Sequence, residues 1–220
     1  MKREVILTSD GSTSIHLPEW GESYHSKHGA IQEAYHVFIK NGLFQQTLPA
    51  VSILEIGFGT GLNAFITLIE SKKTAQTITY VGVEGFPISV EEISQMNYAS
   101  QLNATEYQAF FKKIHDSPWE ENQLIEAHFQ LTKRNQLFAD ITDENQFDLI
   151  YFDAFGYHVQ PELWSVEIFH KMYKALKKNG ILVTYACRGS IKRAMLEAGF
   201  QIEKLQGPPG KREMLRGFKI

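Results

Sequence analysis

The sequence predicts an α/β fold in which a mostly parallel sheet carries helices on both faces. Short apolar runs alternate with longer amphipathic segments along most of the 220-residue chain, which is the pattern of strands joined by crossover helices. The last two apolar runs have no helix between them, so they should form an antiparallel hairpin at one edge of the sheet. With 43% hydrophobic and 12% aromatic residues, the chain can fill the core that such a fold requires.

The predicted elements begin with a hairpin. Asp10-Gly11 favours a tight turn between strands at residues 4–8 and 13–17. A helix then ends at Asn41-Gly42, because apolar residues recur at helical spacing before that stop signal. The remaining strands are predicted over residues 51–56, 78–83, 147–152, 181–186, 200–205 and 213–220, and the remaining helices over 61–70, 90–102, 119–128, 162–177 and 191–198.

Length and composition predict one domain over residues 1–220, with 1–45 as an N-terminal hairpin and helix extension and 46–220 as the core. No apolar run approaches the roughly 20 residues of a membrane span, and the apolar run after Lys2 and Arg3 is too short for a signal peptide. The single cysteine, Cys187, excludes an internal disulfide. We therefore expect a cytoplasmic protein with no membrane contact.

Charge is distributed unevenly along the chain. The net charge is −3, yet residues 171–220 carry 12 Lys and Arg against three acids, while residues 1–170 carry 10 basic and 22 acidic groups. Two interpretations are open. The basic quarter could bind a polyanion such as a nucleic acid, or its lysines could simply form a solvated helix face.

The strongest local signal is the turn Leu-Glu-Ile-Gly-Phe-Gly-Thr-Gly-Leu-Asn between a predicted strand and a predicted helix. Gly57, Gly59 and Gly61 let the backbone turn tightly and approach a ligand closely. Leu62 breaks the Gly-x-Gly-x-x-Gly spacing of dinucleotide sites, so a nicotinamide oxidoreductase is the least favoured class. The alternating glycines after Glu55 suit a ligand with an amino-acid tail instead.

Acidic residues follow several strand-like runs, where ligands of open α/β sheets bind. Glu84 could accept both hydroxyls of a ribose. Asp140 could accept from an adenine amino group or cap a helix. Asp153 could orient an amine and accept its proton. Phe155 and Tyr157 could offer ring faces to a base or a cation, or pack in the core.

The eight histidines show no metal-ligand spacing, and neither a Ser-His-Asp elbow nor a P-loop is present, so we predict no metal site. Taken together, the motifs resemble the methyltransferase part of the bacterial bifunctional tRNA 5-methylaminomethyl-2-thiouridine biosynthesis proteins (MnmC type). The matching stretches are residues 24–26, 29–30, 33–38, 55–63, 84–87, 152–155 and 210–215.

The resemblance implies a class I (Rossmann-like) S-adenosylmethionine-dependent methyltransferase with an antiparallel last strand. It implies S-adenosylmethionine as methyl donor, the aminomethyl group of 5-aminomethyl-2-thiouridine at the tRNA wobble position as acceptor, and the anticodon stem-loop as partner. Neither a metal nor FAD is implied, because no counterpart of the relatives' oxidase part is recognised. We infer no obligatory protein partner.

Residue roles also follow from the resemblance. It implies that the donor is bound by Tyr24, Glu55, Gly57, Phe58, Gly59, Thr60, Gly61 and Asn63, with Glu84 at the ribose and Asp140 at the adenine. It implies Asp153 at the reacting amine, and tRNA contacts from Phe155, Arg188, Lys211 and Arg212.

Two other functions stay open at this point. The chain could methylate a free small-molecule amine, or it could be a non-catalytic RNA-binding module on a degenerate methyltransferase fold. The intact glycine turn, Glu84 and Asp153 argue against the second of these.

Overall fold

The computed structural model describes residues 2–220, and its N-terminal segment forms a small sheet of its own. Strands β1 (Glu4–Leu7) and β2 (Thr13–Leu17) pair antiparallel, and β3 (Glu22–Ser23) pairs with β2. The hairpin predicted around Asp10-Gly11 is confirmed. Gly11 has a φ of 82°, a left-handed conformation that glycine adopts without strain.

The central sheet is the main layer of the molecule. Its strands are β4 (Ala50–Ile56), β5 (Thr77–Val83), β6 (Asn122–Glu126), β7 (Phe129–Arg134), β8 (Phe147–Phe152), β9 (Leu176–Thr184), β10 (Gln201–Gln206) and β11 (Glu213–Phe218). Over the described residues they lie in the order β10-β11-β9-β8-β4-β5-β7-β6. Strands β9, β8, β4, β5 and β7 run parallel, while the edge strands pair antiparallel. The predicted parallel sheet and antiparallel terminal hairpin are confirmed.

Helices cover both faces of this sheet. They are α1 (Ala30–Ala34), α2 (Leu62–Thr74), α3 (Val90–Ser94), α4 (Tyr98–Gln101), α5 (Gln108–Asp116), α6 (Val166–Ala175) and α7 (Gly189–Glu197). Helix α1 continues as a π-helix over Tyr35–Lys40. Helices α1, α2 and α5 pack in one apolar core, and α6 and α7 in a second one. None of the helices in the described part of the chain is both long and apolar enough to cross a bilayer.

The order of the strands creates a crevice at one end of the sheet. Strand β4 has β5 on one side and β8 on the other, so the direction in which strands are added reverses at β4. Loops that leave the carboxyl ends of β4 and β8 therefore diverge to opposite faces of the sheet. In open α/β sheets, ligands bind at such a switch point.

The N-terminal sheet is tied to the segment that follows β5. The Asn97 side chain accepts the Thr13 N–H at 2.9 Å and donates to the Gly11 carbonyl oxygen at 2.9 Å. The Arg3 guanidinium donates to the Phe86 carbonyl oxygen at 2.7 Å. These bonds hold the extension beside the carboxyl end of β5.

The prediction of a helix over residues 119–128 is wrong, since this stretch contains the edge strand β6 and the turn into β7. The strand β7 that follows was not predicted either; its Phe129, Leu131 and Lys133 are buried while the residues between them are more exposed, which is the two-residue period of a strand. The helix lies earlier, as α5, and was not predicted. It ends before Ser117-Pro118, where the proline disfavours helical backbone at the residue before it.

Two other predicted helices begin or end differently. The helix expected over residues 90–102 is divided into α3 and α4, because the Asn97 side chain between them bonds to the hairpin. The helix expected over residues 162–177 begins as the 3-10 turn Pro161–Trp164. Helix α6 then starts after Ser165, whose hydroxyl accepts the Ile168 N–H.

Candidate active site

A cavity of about 1210 Å³ opens at the carboxyl ends of β4, β5 and β8. Its walls come from the loops after these strands, the segment around β3 and the loop between β10 and β11. Most of the predicted site residues line it: Tyr24, Gly57, Phe58, Gly59, Thr60, Asn63, Glu84, Asp153, Phe155 and Lys211. Residues from distant parts of the sequence therefore meet in one place.

The glycine turn after β4 is held against the neighbouring loops. A Cβ on Gly57, whose φ is 86°, would lie 2.4 Å from the Asp153 carbonyl oxygen. A Cβ on Gly59, whose φ is 49°, would lie 3.1 Å from the Tyr24 ring. Both positions need glycine, because the backbone is left-handed and a side chain would collide with its neighbours.

Glu84 directly follows β5 and lines the cavity. Its carboxylate accepts the Gly59 N–H at 3.0 Å and the Phe86 N–H at 2.9 Å, one on each oxygen. These two bonds fix the carboxylate between the glycine turn and the loop after β5. Each oxygen keeps a second lone pair, so the group can still accept from hydroxyls of a ligand.

Asn63, in the first turn of α2, links two carboxylates. Its Nδ2 donates to Glu55 Oε1 and to Asp153 Oδ2, both at 2.9 Å. Since both carboxylates need a donor, the amide is oriented with Nδ2 toward them. Asn63 Oδ1 is buried and has no hydrogen-bond partner within residues 2–220. A buried carbonyl without a partner is costly, so a ligand N–H or ammonium at the cavity would stabilise it.

The structure corrects the expected position of Glu55. This residue is completely buried and does not line the cavity. Its other oxygen, Oε2, accepts the Tyr80 hydroxyl at 2.9 Å, and burial raises the pKa of Glu55 well above its usual range. Glu55 therefore orients Asn63 through their hydrogen bond and cannot touch a ligand in the cavity.

Asp153 begins the loop after β8. Its N–H donates to the Ile56 carbonyl oxygen at 2.9 Å, which continues the pairing of β8 with β4. Burial and the nearby Glu33 carboxylate raise the pKa of Asp153 to about 7, against the opposing effects of the Asn63 hydrogen bond and the Lys211 charge. At neutral pH this carboxyl is close to its titration midpoint, which suits a group that exchanges protons with a ligand.

An ion pair between Glu33, on α1, and Lys211 adjoins Asp153. Glu33 is buried, and its other oxygen accepts the Ser26 N–H at 2.8 Å. The Lys211 ammonium also lies 3.8 Å from the centroid of the Tyr185 ring. The Tyr185 hydroxyl donates to the Ala154 carbonyl oxygen at 2.8 Å, so the ring under the cation is held in place.

Aromatic rings form another part of the wall. Phe155 packs edge-on against Tyr24, with ring centroids 5.1 Å apart, and against Trp20, with centroids 5.5 Å apart. Burial raises the pKa of Tyr24 to about 12, so its hydroxyl is neutral at physiological pH. All three rings line the cavity and offer it a largely apolar surface.

Asp140 does not lie where it was expected. The preceding segment is not a strand, because β7 ends at Arg134 and Asp140 closes the 3-10 turn Phe138–Asp140. Asp140 is exposed and does not line the cavity. The residues just before it do line the cavity: Leu137, Phe138 and Ala139.

Three further predicted residues lie off the cavity, and a fourth points elsewhere than expected. Gly61 caps the N-terminus of α2 without lining the cavity. Arg188 and Arg212 are exposed, and the Arg188 guanidinium lies 4.6 Å from the centroid of the Tyr157 ring. The structure revises the expectation for Lys211, whose half-buried side chain lines the cavity and pairs with Glu33, unlike its exposed neighbour Arg212.

Sequence reasoning assigned no role to Glu33, Trp20 or Tyr185. Of these three, only Glu33 could have been found from the sequence, since it is a carboxylate within the apolar repeat of a predicted helix. A buried charge requires a partner, so such a position indicates an ion pair. Trp20 and Tyr185 look like ordinary core residues in the sequence. They reach the cavity through the packing of β3 and β9 around it.

The polar groups of the cavity fit S-adenosylmethionine. The Asn63 carbonyl oxygen without a partner suits the ammonium of its amino-acid tail, and the Glu84 carboxylate suits its ribose hydroxyls. The turn at Gly57 and Gly59 leaves the backbone free of Cβ atoms where such a ligand must approach. A doubly wound sheet commonly uses these elements for nucleoside ligands.

Comparison with known proteins identifies related methyltransferases. A family model described as S-adenosyl-L-methionine-dependent methyltransferase matches residues 102–220. The tRNA 5-methylaminomethyl-2-thiouridine biosynthesis bifunctional protein MnmC of Burkholderia multivorans is 30% identical over 217 residues, which cover 91% of this chain and 32% of that protein. The chain thus spans about a third of the length of the curated relatives that it matches.

Solved structures show the same fold. The crystal structure of MNMC2 from Aquifex aeolicus has a TM-score of 0.75 at 22% identity and covers 98% of this chain and 70% of that one. A methyltransferase from Pyrococcus furiosus has a TM-score of 0.51 at 20% identity, over 92% of this chain and 90% of that one. The Rossmann-like methyltransferase fold expected from the sequence is confirmed. Since the family model covers more than half of the 220 residues, the chain belongs to the S-adenosyl-L-methionine-dependent methyltransferases.

Proposed function

We propose that this protein methylates the aminomethyl group of 5-aminomethyl-2-thiouridine at the wobble position of tRNA. The single observation that carries the proposal is that Asp153 lines the same cavity as Asn63 and Glu84, the polar groups that fit S-adenosylmethionine. The acceptor's identity is supported by the motif resemblance and by the relatives, which are named for 5-methylaminomethyl-2-thiouridine biosynthesis.

The chain's own residues would hold the donor and the acceptor. S-adenosylmethionine supplies an electrophilic methyl group when it is bound. In the proposed arrangement Glu84 accepts from the ribose hydroxyls, and Asn63 accepts from the ammonium. Positioning two reactants in this way is the main source of rate enhancement in a displacement of this kind.

Asp153 would act on the acceptor amine. A primary amine is largely protonated at neutral pH and must present its lone pair to react. A carboxylate can hydrogen-bond the amine N–H, orient the lone pair and take up the proton that is released. A pKa of about 7 lets Asp153 accept this proton and later return it to water.

The aromatic wall would receive the modified base. Phe155, flanked by Trp20 and Tyr24, offers an apolar face on which a uracil ring can stack. The anticodon loop presents unpaired bases that can be turned outward, so no duplex has to be opened. In this proposal the exposed Arg188 and Arg212 bind phosphates of the anticodon stem-loop, and the reaction takes place in the cytoplasm, where tRNA is found.

The decisive experiment uses labelled S-adenosylmethionine with tRNA that carries the aminomethyl group but lacks the methyl. After digestion to nucleosides, label should appear in 5-methylaminomethyl-2-thiouridine. Asp153→Ala should abolish this product while the affinity for S-adenosylmethionine stays within about threefold, because Asp153 is assigned to the acceptor amine, whereas Glu84 and Asn63 are assigned to the donor. Turnover by Asp153→Ala would remove Asp153 from the mechanism.

Other outcomes would point to the alternative functions. Labelling of a free small amine but not of tRNA would identify a metabolite methyltransferase. Binding of tRNA without binding of S-adenosylmethionine would identify a non-catalytic RNA-binding module. Either result would overturn the proposed function.

A further inference from the structure

Lys211 is directed into the cavity by a closed turn between β10 and β11. Its N–H donates to the Pro208 carbonyl oxygen at 2.9 Å, and the Gly207 N–H donates to the Arg212 carbonyl oxygen at 3.1 Å. Gly210 has a φ of 86°, and a Cβ there would overlap the His28 ring. The turn therefore leaves the Lys211 side chain on the inner side, away from its exposed neighbour Arg212.

Inside the cavity the Lys211 ammonium balances two carboxylates. It pairs directly with Glu33 and lies over the Tyr185 ring, and its charge also acts on Asp153. The titratable groups that act on Asp153, or on which it acts, come from α1, β4, β5, the residue after β9 and the β10–β11 loop: Glu33, Glu55, Tyr80, Tyr185 and Lys211. Glu22, Glu84 and Arg3 also line the cavity. Lys211 is the positive charge that acts on Asp153.

We propose that Lys211 is a positioning residue for methyl transfer: held by Glu33 and Tyr185 in the cavity that Asp153 also lines, its ammonium favours the ionised form of the Asp153 carboxylate, which accepts the proton of the acceptor amine. This inference rests on the proposed function and adds a residue to it. The expectation that Lys211 binds an RNA phosphate is replaced by a role inside the cavity.

The chemistry requires an ionised Asp153. The amine lone pair forms the new N–C bond while the C–S bond of the donor breaks, its electron pair remaining on sulfur. The N–H proton that is lost goes to an Asp153 carboxylate oxygen. The nearby Glu33 carboxylate favours protonation of Asp153, which would prevent it from accepting a proton, and the Lys211 charge opposes this effect.

The first test needs no substrate. Carbon-13 NMR of the aspartate carboxyl groups, with the Asp153 signal assigned through Asp153→Asn, gives the Asp153 titration midpoint in each variant. Lys211→Met should raise the midpoint by up to about 1 pH unit, because the Lys211 charge favours the ionised carboxylate. Lys211→Arg should restore it, and Glu33→Gln should lower it because a like charge is removed.

A misfolded cavity would not raise the Asp153 midpoint in Lys211→Met and lower it in Glu33→Gln. An unchanged or lowered midpoint in Lys211→Met would overturn the inference. Because the NMR titration uses neither tRNA nor S-adenosylmethionine, it remains decisive even if the wild-type protein fails to methylate tRNA, an outcome that would refute the proposed function alone.

The second test is the pH dependence of tRNA methylation. In Lys211→Met the acidic limb of the pH profile of kcat/KM should move to higher pH by the same amount as the NMR midpoint. Most of the rate should be recovered at high pH. The matched control is Arg212→Ala, the exposed neighbour, which should raise KM for tRNA without moving the limb. A Lys211→Met variant that raises KM in a salt-dependent way with an unmoved limb would show a phosphate contact instead.

Discussion

Replacing Glu84 by alanine should weaken S-adenosylmethionine binding by about 10- to 100-fold. The two backbone bonds to Glu84, from Gly59 and Phe86, hold its carboxylate rigid and leave one lone pair on each oxygen for ligand hydroxyls. A hydrogen bond to a charged group contributes about 1.5–3 kcal/mol. At about 1.4 kcal/mol per factor of ten in Kd, the loss corresponds to the range given. Loss of the Gly59 anchor should push the effect toward the upper end.

Isothermal titration calorimetry with S-adenosylmethionine at fixed salt measures this effect. Glu84→Gln, which keeps one acceptor oxygen, should give an intermediate affinity. Asp140→Ala is the matched control, since this acid was expected at the adenine but is exposed outside the cavity, and its Kd should match the wild type. Thermal melts establish that each variant is folded. If Glu84→Ala binds within about twofold of the wild type, Glu84 does not hold the ligand.

Two further predictions address the glycine turn and the buried carboxyl. Gly59→Ala should lose at least about tenfold in S-adenosylmethionine affinity, because its φ of 49° is unfavourable for alanine and the new Cβ would press on the Tyr24 ring; an unchanged Kd would contradict the described turn. The folded-state pKa of Asp153, about 7, lies above its unfolded value, so the folded state binds the extra proton and ionisation of Asp153 destabilises the fold as pH rises from about 4 through 7. The unfolding free energy of Asp153→Asn, taken relative to the wild type at the same pH, should therefore be about 1–2 kcal/mol higher at pH 8 than at pH 4. This is less than the full pKa shift implies, because the Asp153 carboxyl keeps some contact with water. Urea unfolding at the two pH values measures this difference, and an equal effect of the substitution at both would refute it.

Much of the framework was predictable because it is encoded over short distances. The strand at residues 147–152 was predicted with the bounds of β8, since a continuous apolar run is typical of a strand buried on both faces. Glu84 and Asp153 were each predicted at the ligand-binding end of the sheet, because ligands of open α/β sheets bind outside the carboxyl ends of the strands. Both line the cavity, although their proposed roles await the experiments above.

The errors arose where packing overrides a local pattern. Residues 119–128 were predicted to be helical, but part of this stretch forms β6, because β7 pairs with β5 and offers β6 an edge. Asp140 was predicted to follow a strand, but the preceding residues form a 3-10 turn, so the reason for placing Asp140 at the ligand does not hold. Glu55 was placed at the ligand by its position in the motif, but its side chain lies on the buried side of β4.

Local sequence thus specifies the sheet, the glycine turn and the acids at the strand ends, because each depends on a periodicity or a backbone conformation read over a few residues. The charge balance around Asp153 is decided by tertiary structure alone. Glu33 and Lys211 are 178 positions apart, and they meet only because the N-terminal extension and the C-terminal hairpin both pack beside the same cavity. Ion pairing acts through space, so the spacing of two residues along the chain does not predict it.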